Sequence, residues 1–421
     1  MPAFNYLTTH VGSLPHPSAD EIVNKLVATL DVPAWPQLPR RTFRENMYAM
    51  YSPALPEIVE DASKEKIYFD TRQDITPALE AFYTPILSDD VDAFALRPDY
   101  AAGFFAMLET LRRSATVQLS PERAWAKGQV TGPISFGLTV TDQDFRASLY
   151  DEVLVDTIVK NAAMIARWQV RQLKTVRPNI IIFVDEPYMA SFGSAFISLS
   201  REQVIAMLDE VFDAIHAEGA LAGVHCCANT DWGVLLATKV DILNLDAYGY
   251  IENLALYPIE LRTFLDRGGA AAWGIVPNND EIFKVTAEGL ANRLRAGLKM
   301  ISEKAAARGV VIKPDEFNER SLIVPACGLG STTVKIAEEV LEKLAETGAI
   351  LKSDRWSLFS PSSPPPPDRP ARRLRVPPAD GRCIRKWSIR NCWEWFPAAA
   401  DPILRQNPAI QRGRHLVRDS E

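Results

Sequence analysis

Eight short apolar runs, most of them separated by longer amphipathic stretches, set what this chain can fold into. The runs are YLTTHVG (6–12), KIYFD (66–70), AWAKGQVTG (124–132), NIIIFVDE (179–186), ALAGVHCC (220–227), DILNLDA (241–247), AAAWGIV (270–276) and SLIVPAC (321–327). Between them lie helical patterns such as 149–176, 201–219, 252–269 and 331–348, several opening on Ser or Thr and closing at Gly, as capping requires. Near-continuous apolar strands alternating with helices argue for a parallel sheet buried on both faces. Eight such units in about 350 residues predict an α/β fold of the (β/α)8 TIM-barrel type, a single domain over residues 1–352. No GxGxxG or Walker-type loop interrupts the pattern, so a nucleotide-binding sheet is disfavoured.

Charge marks where that domain ends. The chain has 421 residues and a net charge of −7; residues 1–352 hold 33 Lys+Arg against 46 Asp+Glu, and residues 353–421 hold 13 against 7. The terminal segment opens with SLFSPSSPPPPDRPARRLRVPP, whose Pro and Arg content cannot sustain regular structure. It is expected to be disordered or translated out of frame, and it stands outside the fold. The acidic body gives no reason to expect a nucleic-acid partner. No apolar run reaches membrane-spanning length, and MPAFNYLTTH lacks the basic and apolar regions of a signal peptide, so a cytoplasmic protein is expected. Five irregularly spaced cysteines make no disulfide framework; in that compartment they read as free thiols, ligands or nucleophiles.

In a barrel, function gathers where strands end and βα loops begin. His10 and Ser13 follow the first run, Asp185 and Glu186 end the fourth, His225 and Cys227 the fifth, Asp246 the sixth and Cys327 the eighth. His225 and Cys227 are two apart on a strand and share a face, whereas Cys226 points the other way and reads as a small buried hydrophobe. With Cys327 they supply the nitrogen and sulfur donors that zinc prefers, and Asp246 on the neighbouring strand could complete the set. Asp185 and Glu186, adjacent acids after an apolar run and closed by Pro187, read as a catalytic pair rather than an ordinary polar strand end.

These motifs make the chain recognisable. TTHVGSLP (8–15), VTGPISF (130–136), FVDEPYM (183–189), VHCC (224–227), DILNLDAYG (241–249) and PACGLGSTT (325–333) occur in the order and spacing of a known barrel. Over about residues 5–350 the sequence resembles the catalytic barrel of the cobalamin-independent methionine synthases, of the short core type, within the uroporphyrinogen-decarboxylase-like barrels. The resemblance implies zinc ligands at His225, Cys227, Asp246 and Cys327, and homocysteine-binding residues at Ser13 and Asp185. Asp246 departs from the pattern, which has Glu there; one methylene shorter, it can ligate directly, act through water or support a ligand. The resemblance also implies methyl transfer to a thiol, most simply homocysteine to methionine. The donor is a methyl-corrinoid or a methyl-folate. Because the chain begins directly with the catalytic barrel, a corrinoid protein docking over the mouth is the expected partner.

The expected ligands suit that chemistry. A free thiol is mostly protonated at neutral pH, and a centre with two thiolates and a neutral imidazole lowers its pKa while leaving sulfur electron-rich. Two other readings keep the barrel but change what it does. One is methylation of a coenzyme-M-like thiol, the other a non-catalytic zinc-binding barrel. Uroporphyrinogen decarboxylation is disfavoured, since no arginine-rich N-terminal motif is present. His10 and His16 flank the first loop and can line the mouth or meet a phosphate-like group. WPQLPRR (35–41) with FRENMY (43–48) reads as an insertion, either a lid or edge packing. DAIHAEG (213–219) only superficially resembles a corrinoid motif and reads as helix.

Overall fold

A computed structural model describes residues 2–114, 121–194 and 197–353. Seven parallel strands run in the order β1 (Leu7–Thr8), β9 (Ser321–Pro325), β8 (Ala270–Val276), β7 (Ile242–Leu245), β6 (Leu221–Cys226), β5 (Asn179–Asp185) and β4 (Trp125–Thr131). The eighth position, between β1 and β4, belongs to residues 32–38. The Val32 and Gln37 amides donate to Thr8 and Gly12 oxygens at 3.0 and 3.1 Å, and on the other side Lys127 N–H reaches Pro33 O at 3.0 Å. Parallel bridges Ser13–Gln37 and Ala34–Lys127 mark both edges. The ring is therefore a (β/α)8 barrel, as the alternation predicts.

The second strand is where sequence and structure differ. KIYFD has the pattern of a barrel strand, but β3 (Lys66–Phe69) pairs antiparallel with β2 (Ile58–Asp61) in a separate two-stranded hairpin. The true second position, VPAWPQL, contains Pro33 and Pro36, which cannot donate to a ladder, so it carries no strand signature. Residues 35–38, expected in a lid or edge insertion, thus lie in the wall. The expected helix 252–269 also divides, into Ala247–Leu254 and Pro258–Asp266, because Pro258 restarts the chain at a first helical position. The other three helices occupy 152–174, 201–217 and 334–353. The expectation about the terminal segment lies outside the described residues, and among those residues no helix is long and apolar enough to cross a membrane.

Strand alternation divides the core in two. Ile180, Ile182, Val184, Ala222, Val224, Cys226, Leu243 and Leu245 face outward into the layer shared with the helices. Phe4, Trp125, Ile181, Phe183, Ile242, Ala272, Leu322 and Val324 fill the lumen. Gly223 is required beneath the mouth: a Cβ there would lie 2.2 Å from the Phe183 ring. The inward row above these residues is polar, and that is where the site forms.

On the outside, His216 anchors a helix to the sheet. It sits in the last turn of Arg201–Ala217, a helix opened by a Ser200–Gln203 capping box, and its Nε2 lies 2.7 Å from Asp241 Oδ2. The hydrogen bond to Asp241 raises its pKa above the ordinary value, against the opposing effects of partial burial and Lys239. A raised folded pKa stabilises the fold fully below pH about 6.5 and ceases to do so as pH rises through the folded value. Chemical denaturation between pH 5 and 8 is expected to show this loss, absent in His216→Gln. Partial exposure keeps it under about 1 kcal/mol.

Candidate metal centre

One register row places Thr131, Asp185, His225, Asn244 and Ala272 side by side on five adjacent strands. Their side chains share the inward face near the C-terminal end of the barrel. Cys227 follows β6, and Cys327 follows β9, 102 residues beyond His225. Barrel closure brings them together: the His225 ring nitrogen and the Cys227 and Cys327 sulfurs all lie within 4.8 Å of one another. Cys327 Sγ is 3.8 Å from His225 Nε2.

The donor set fits a soft divalent metal. Tetrahedral zinc, with bonds of about 2.3 Å to sulfur and 2.0–2.1 Å to nitrogen, holds its ligands roughly 3.5–3.8 Å apart. The Cys327–His225 spacing is at the upper end of that range. Burial lowers the pKa of His225, favouring the neutral imidazole a metal needs. Its Nδ1 lies 2.6 Å from Asn244 Oδ1, and Asn244 Nδ2 donates to Ala272 O at 2.7 Å. Cys226 is wholly buried on the outer face, separate from Cys227, so the two neighbours do not act as a pair.

Asp246 is not in the group of three. Its Oδ1 accepts from Gly249 N at 2.7 Å, capping helix Ala247–Leu254. Burial lifts its pKa to about 6, with Gly249 and the nearby His225 pulling it back down.

Asp185 and Glu186 are adjacent in sequence but do different things. Asp185 is 5% exposed, and its Oδ1 has no hydrogen-bond partner. Burial raises its pKa, moderated by His225 and Lys127. Glu186 is fully buried and turned to the helix Pro133–Thr139: Ile134 N and Ser135 N donate to its two oxygens at 3.0 and 2.8 Å, and Ser135 Oγ at 2.6 Å. Pro133 has no N–H, so Glu186 satisfies the first two free amides of that helix. Burial raises its pKa to about 7 despite these donors. With its oxygens so engaged, the Glu186 carboxylate serves to hold the loop.

Gly132 leaves room for that carboxylate, since a Cβ would stand 2.1 Å from Glu186 Oε1. Gly132→Ala is therefore expected to lower stability by about 2–3 kcal/mol, read as a shifted urea midpoint at constant m-value.

The remaining expected residues are also placed. Ser13 packs against the loop bearing Cys327: its carbonyl accepts from Leu329 N at 2.8 Å, and its Oγ from Gly330 N at 3.3 Å. His10 is fully buried with Nε2 on Ala34 O at 3.0 Å, and burial depresses its pKa to about 3, so it ties the second strand to the first as a neutral ring. His16 pairs with Glu338 at 2.8 Å on the helix Val334–Ser353. Both histidines thus have Nε2 engaged by a neighbouring element. The segment 43–48 does reach the site: Met47 O accepts from Thr131 Oγ1, and Tyr48 lies within electrostatic reach of Glu186 and Cys227.

Two further residues of the site carry no motif of their own. Lys127 is wholly buried in the lumen, donating to Val11 O at 2.6 Å with its amine 4.5 Å from the Phe183 ring centre. Burial lowers its pKa. Asn244 is the other. Both occupy inward positions of their strands, and alternation alone is the signal that could have found them.

No protein-family model matches the chain, and no curated protein sequence matches it. Among solved structures it is similar to a B12-independent methionine synthase from Shewanella sp. W3-18-1 in complex with selenomethionine. The identity is 15%, the TM-score 0.47, and the match covers 83% of this chain and 98% of that one. It is also similar to a glycoside hydrolase at 12% identity and TM-score 0.39, over 82% and 99% of the two chains. Likenesses of this degree carry no weight about chemistry.

Proposed function

We propose that the chain is a zinc-dependent methyltransferase acting on a thiol, with homocysteine, giving methionine, as the acceptor. The observation that carries this reading is the meeting of one imidazole nitrogen and two cysteine sulfurs at the barrel mouth, beside a buried carboxylate with an unpartnered oxygen. His225, Cys227 and Cys327 would hold the metal. Asp246 enters as a nearby carboxylate whose Oδ1 is already committed to Gly249, so direct ligation would draw on Oδ2. Zinc in such a set lowers the pKa of a thiol bound beside it without stripping the sulfur of its nucleophilicity.

The chain's own groups do the rest. Asp185 offers its free oxygen to a substrate ammonium, a pairing strong enough in a buried site to select amino-acid thiols. Glu186 acts indirectly, fixing the loops after β4 and β5. Ser13 holds the Cys327 loop at the edge where the substrate would lie. In the reaction, the thiol loses its proton, its sulfur forms the bond to the methyl carbon, and the donor keeps the electron pair of the bond that breaks. The donor is a methyl-corrinoid or a methyl-folate, a corrinoid protein being the proposed partner.

Incubating the zinc-loaded protein with methylcobalamin or methyl-tetrahydrofolate, and with homocysteine or 2-mercaptoethanesulfonate, tests this directly. Methionine is the expected product. Methylation of the sulfonate alone would move the substrate to a coenzyme-M-like thiol, and no transfer with zinc bound would favour a non-catalytic barrel.

A further inference from the structure

Asn244 carries an inference that rests on the metal reading only in that the imidazole it touches is the proposed ligand. It is wholly buried on β7, next to His225 in the register row. Its amide faces a backbone carbonyl at one end, Ala272 O at 2.7 Å, and His225 Nδ1 at the other, 2.6 Å away. A carbonyl only accepts, so the amide nitrogen must face Ala272. That leaves Oδ1 toward the ring, and an amide oxygen also only accepts. The proton of the imidazole is thereby confined to Nδ1, and the lone pair to Nε2, the atom 3.8 Å from Cys327 Sγ. Turning the amide around would set two buried acceptors against each other at Ala272.

We propose that Asn244 is the positioning residue of the centre. The Ala272 carbonyl, acting through Asn244, sets His225 as the Nδ1–H tautomer before any metal arrives. A neutral histidine side chain exposed to water prefers the opposite, Nε2–H form, so the protein inverts the ordinary preference. An asparagine does this without adding negative charge, leaving the charge of the centre to the two cysteines and any carboxylate that joins them. A carboxylate in its place would raise the basicity of the ligand and the negative charge together.

The test begins without metal. Two-bond proton–nitrogen correlation spectra of 15N-histidine-labelled protein, with His225 assigned through His225→Gln, are expected to show Nδ1–H. In Asn244→Leu the ring should revert to Nε2–H and zinc affinity, read by chelator competition, should fall 10–100-fold. Asn244→Asp keeps an acceptor toward the ring, at the cost of setting its other oxygen against Ala272 O, and should retain Nδ1–H with zinc affinity within about tenfold of the parent. Nε2–H in the metal-free parent overturns the proposal, as does a leucine variant that keeps Nδ1–H and the parent's zinc affinity. If the leucine variant fails to fold, the parent spectrum and the aspartate variant decide. The two readings separate cleanly. Zinc binding with an Nε2–H ring counts against Asn244 alone. An Nδ1–H ring in a protein that binds no zinc overturns the metal reading, and with it the purpose given to Asn244.

Discussion

Replacing Cys327 with serine is expected to abolish stoichiometric zinc binding while leaving the barrel folded. Cys327 sits just past β9 in a loop, half-buried, and its sulfur is one of three donor atoms gathered within 4.8 Å. A hydroxyl is a far harder and less acidic donor than a thiol, so serine does not substitute for thiolate toward zinc. Changes one shell further out typically cost 10–100-fold in metal affinity. Loss of a direct ligand is therefore expected to exceed about 100-fold, and methyl transfer should fall with it. The core has little to lose, because the side chain is not part of either packed layer. Metal analysis after gel filtration, beside a thermal melt, checks both halves. Cys227→Ser should behave alike, whereas Cys226→Ser, on the outer face, should cost stability and leave zinc in place.

The second large effect belongs to Asp185. Asp185→Asn keeps the shape of the side chain and removes its charge. Truncating one partner of a buried charge pair costs about 3–5 kcal/mol, so kcat/KM for homocysteine is expected to drop by roughly 10²–10⁴. A thiol lacking the amino group should be methylated nearly as well as by the parent. Stability should move in the other direction or not at all. The carboxylate is buried with one oxygen unpartnered, so removing its charge relieves a desolvation cost that offsets the lost attraction for the buried Lys127 and His225. Loss of activity with unchanged or raised melting temperature is the signature of a binding carboxylate. Equal loss on both thiols, with a lowered melting temperature, would mark Asp185 as structural.

Much of this is legible in the sequence because strand alternation is a local property. Period-two geometry separates Cys226 from His225 and Cys227, and the structure places Cys226 in the outer layer as expected. Apolar runs locate seven of the eight barrel strands. The eighth is hidden because Pro33 and Pro36 interrupt its ladder, while the decoy at 66–70 has the apolar alternation of a strand but pairs with its hairpin partner and, by one isolated bridge, with Asp142, outside the barrel ring. The remaining gaps concern neighbours across strands. Nothing in KGQVT or ILNLD says which residue lies opposite, so Lys127 and Asn244 pass as interior strand positions until pairing sets Asn244 beside His225 and Lys127 lower in the lumen, opposite Ile181 and bonded to Val11 O. Asp246 and Glu186 show the same limit in reverse. Both stand out as acids at strand ends, but which helix amides they serve depends on where the following loop turns.

Zinc-edge X-ray absorption of the purified protein, recorded with and without homocysteine, tests the central claim most directly. Two sulfur neighbours at about 2.3 Å and a nitrogen from imidazole are expected in the free protein, with sulfur coordination rising to three when homocysteine is added. A spectrum without sulfur neighbours, or one that homocysteine leaves unchanged, would contradict a thiol-activating centre at His225, Cys227 and Cys327.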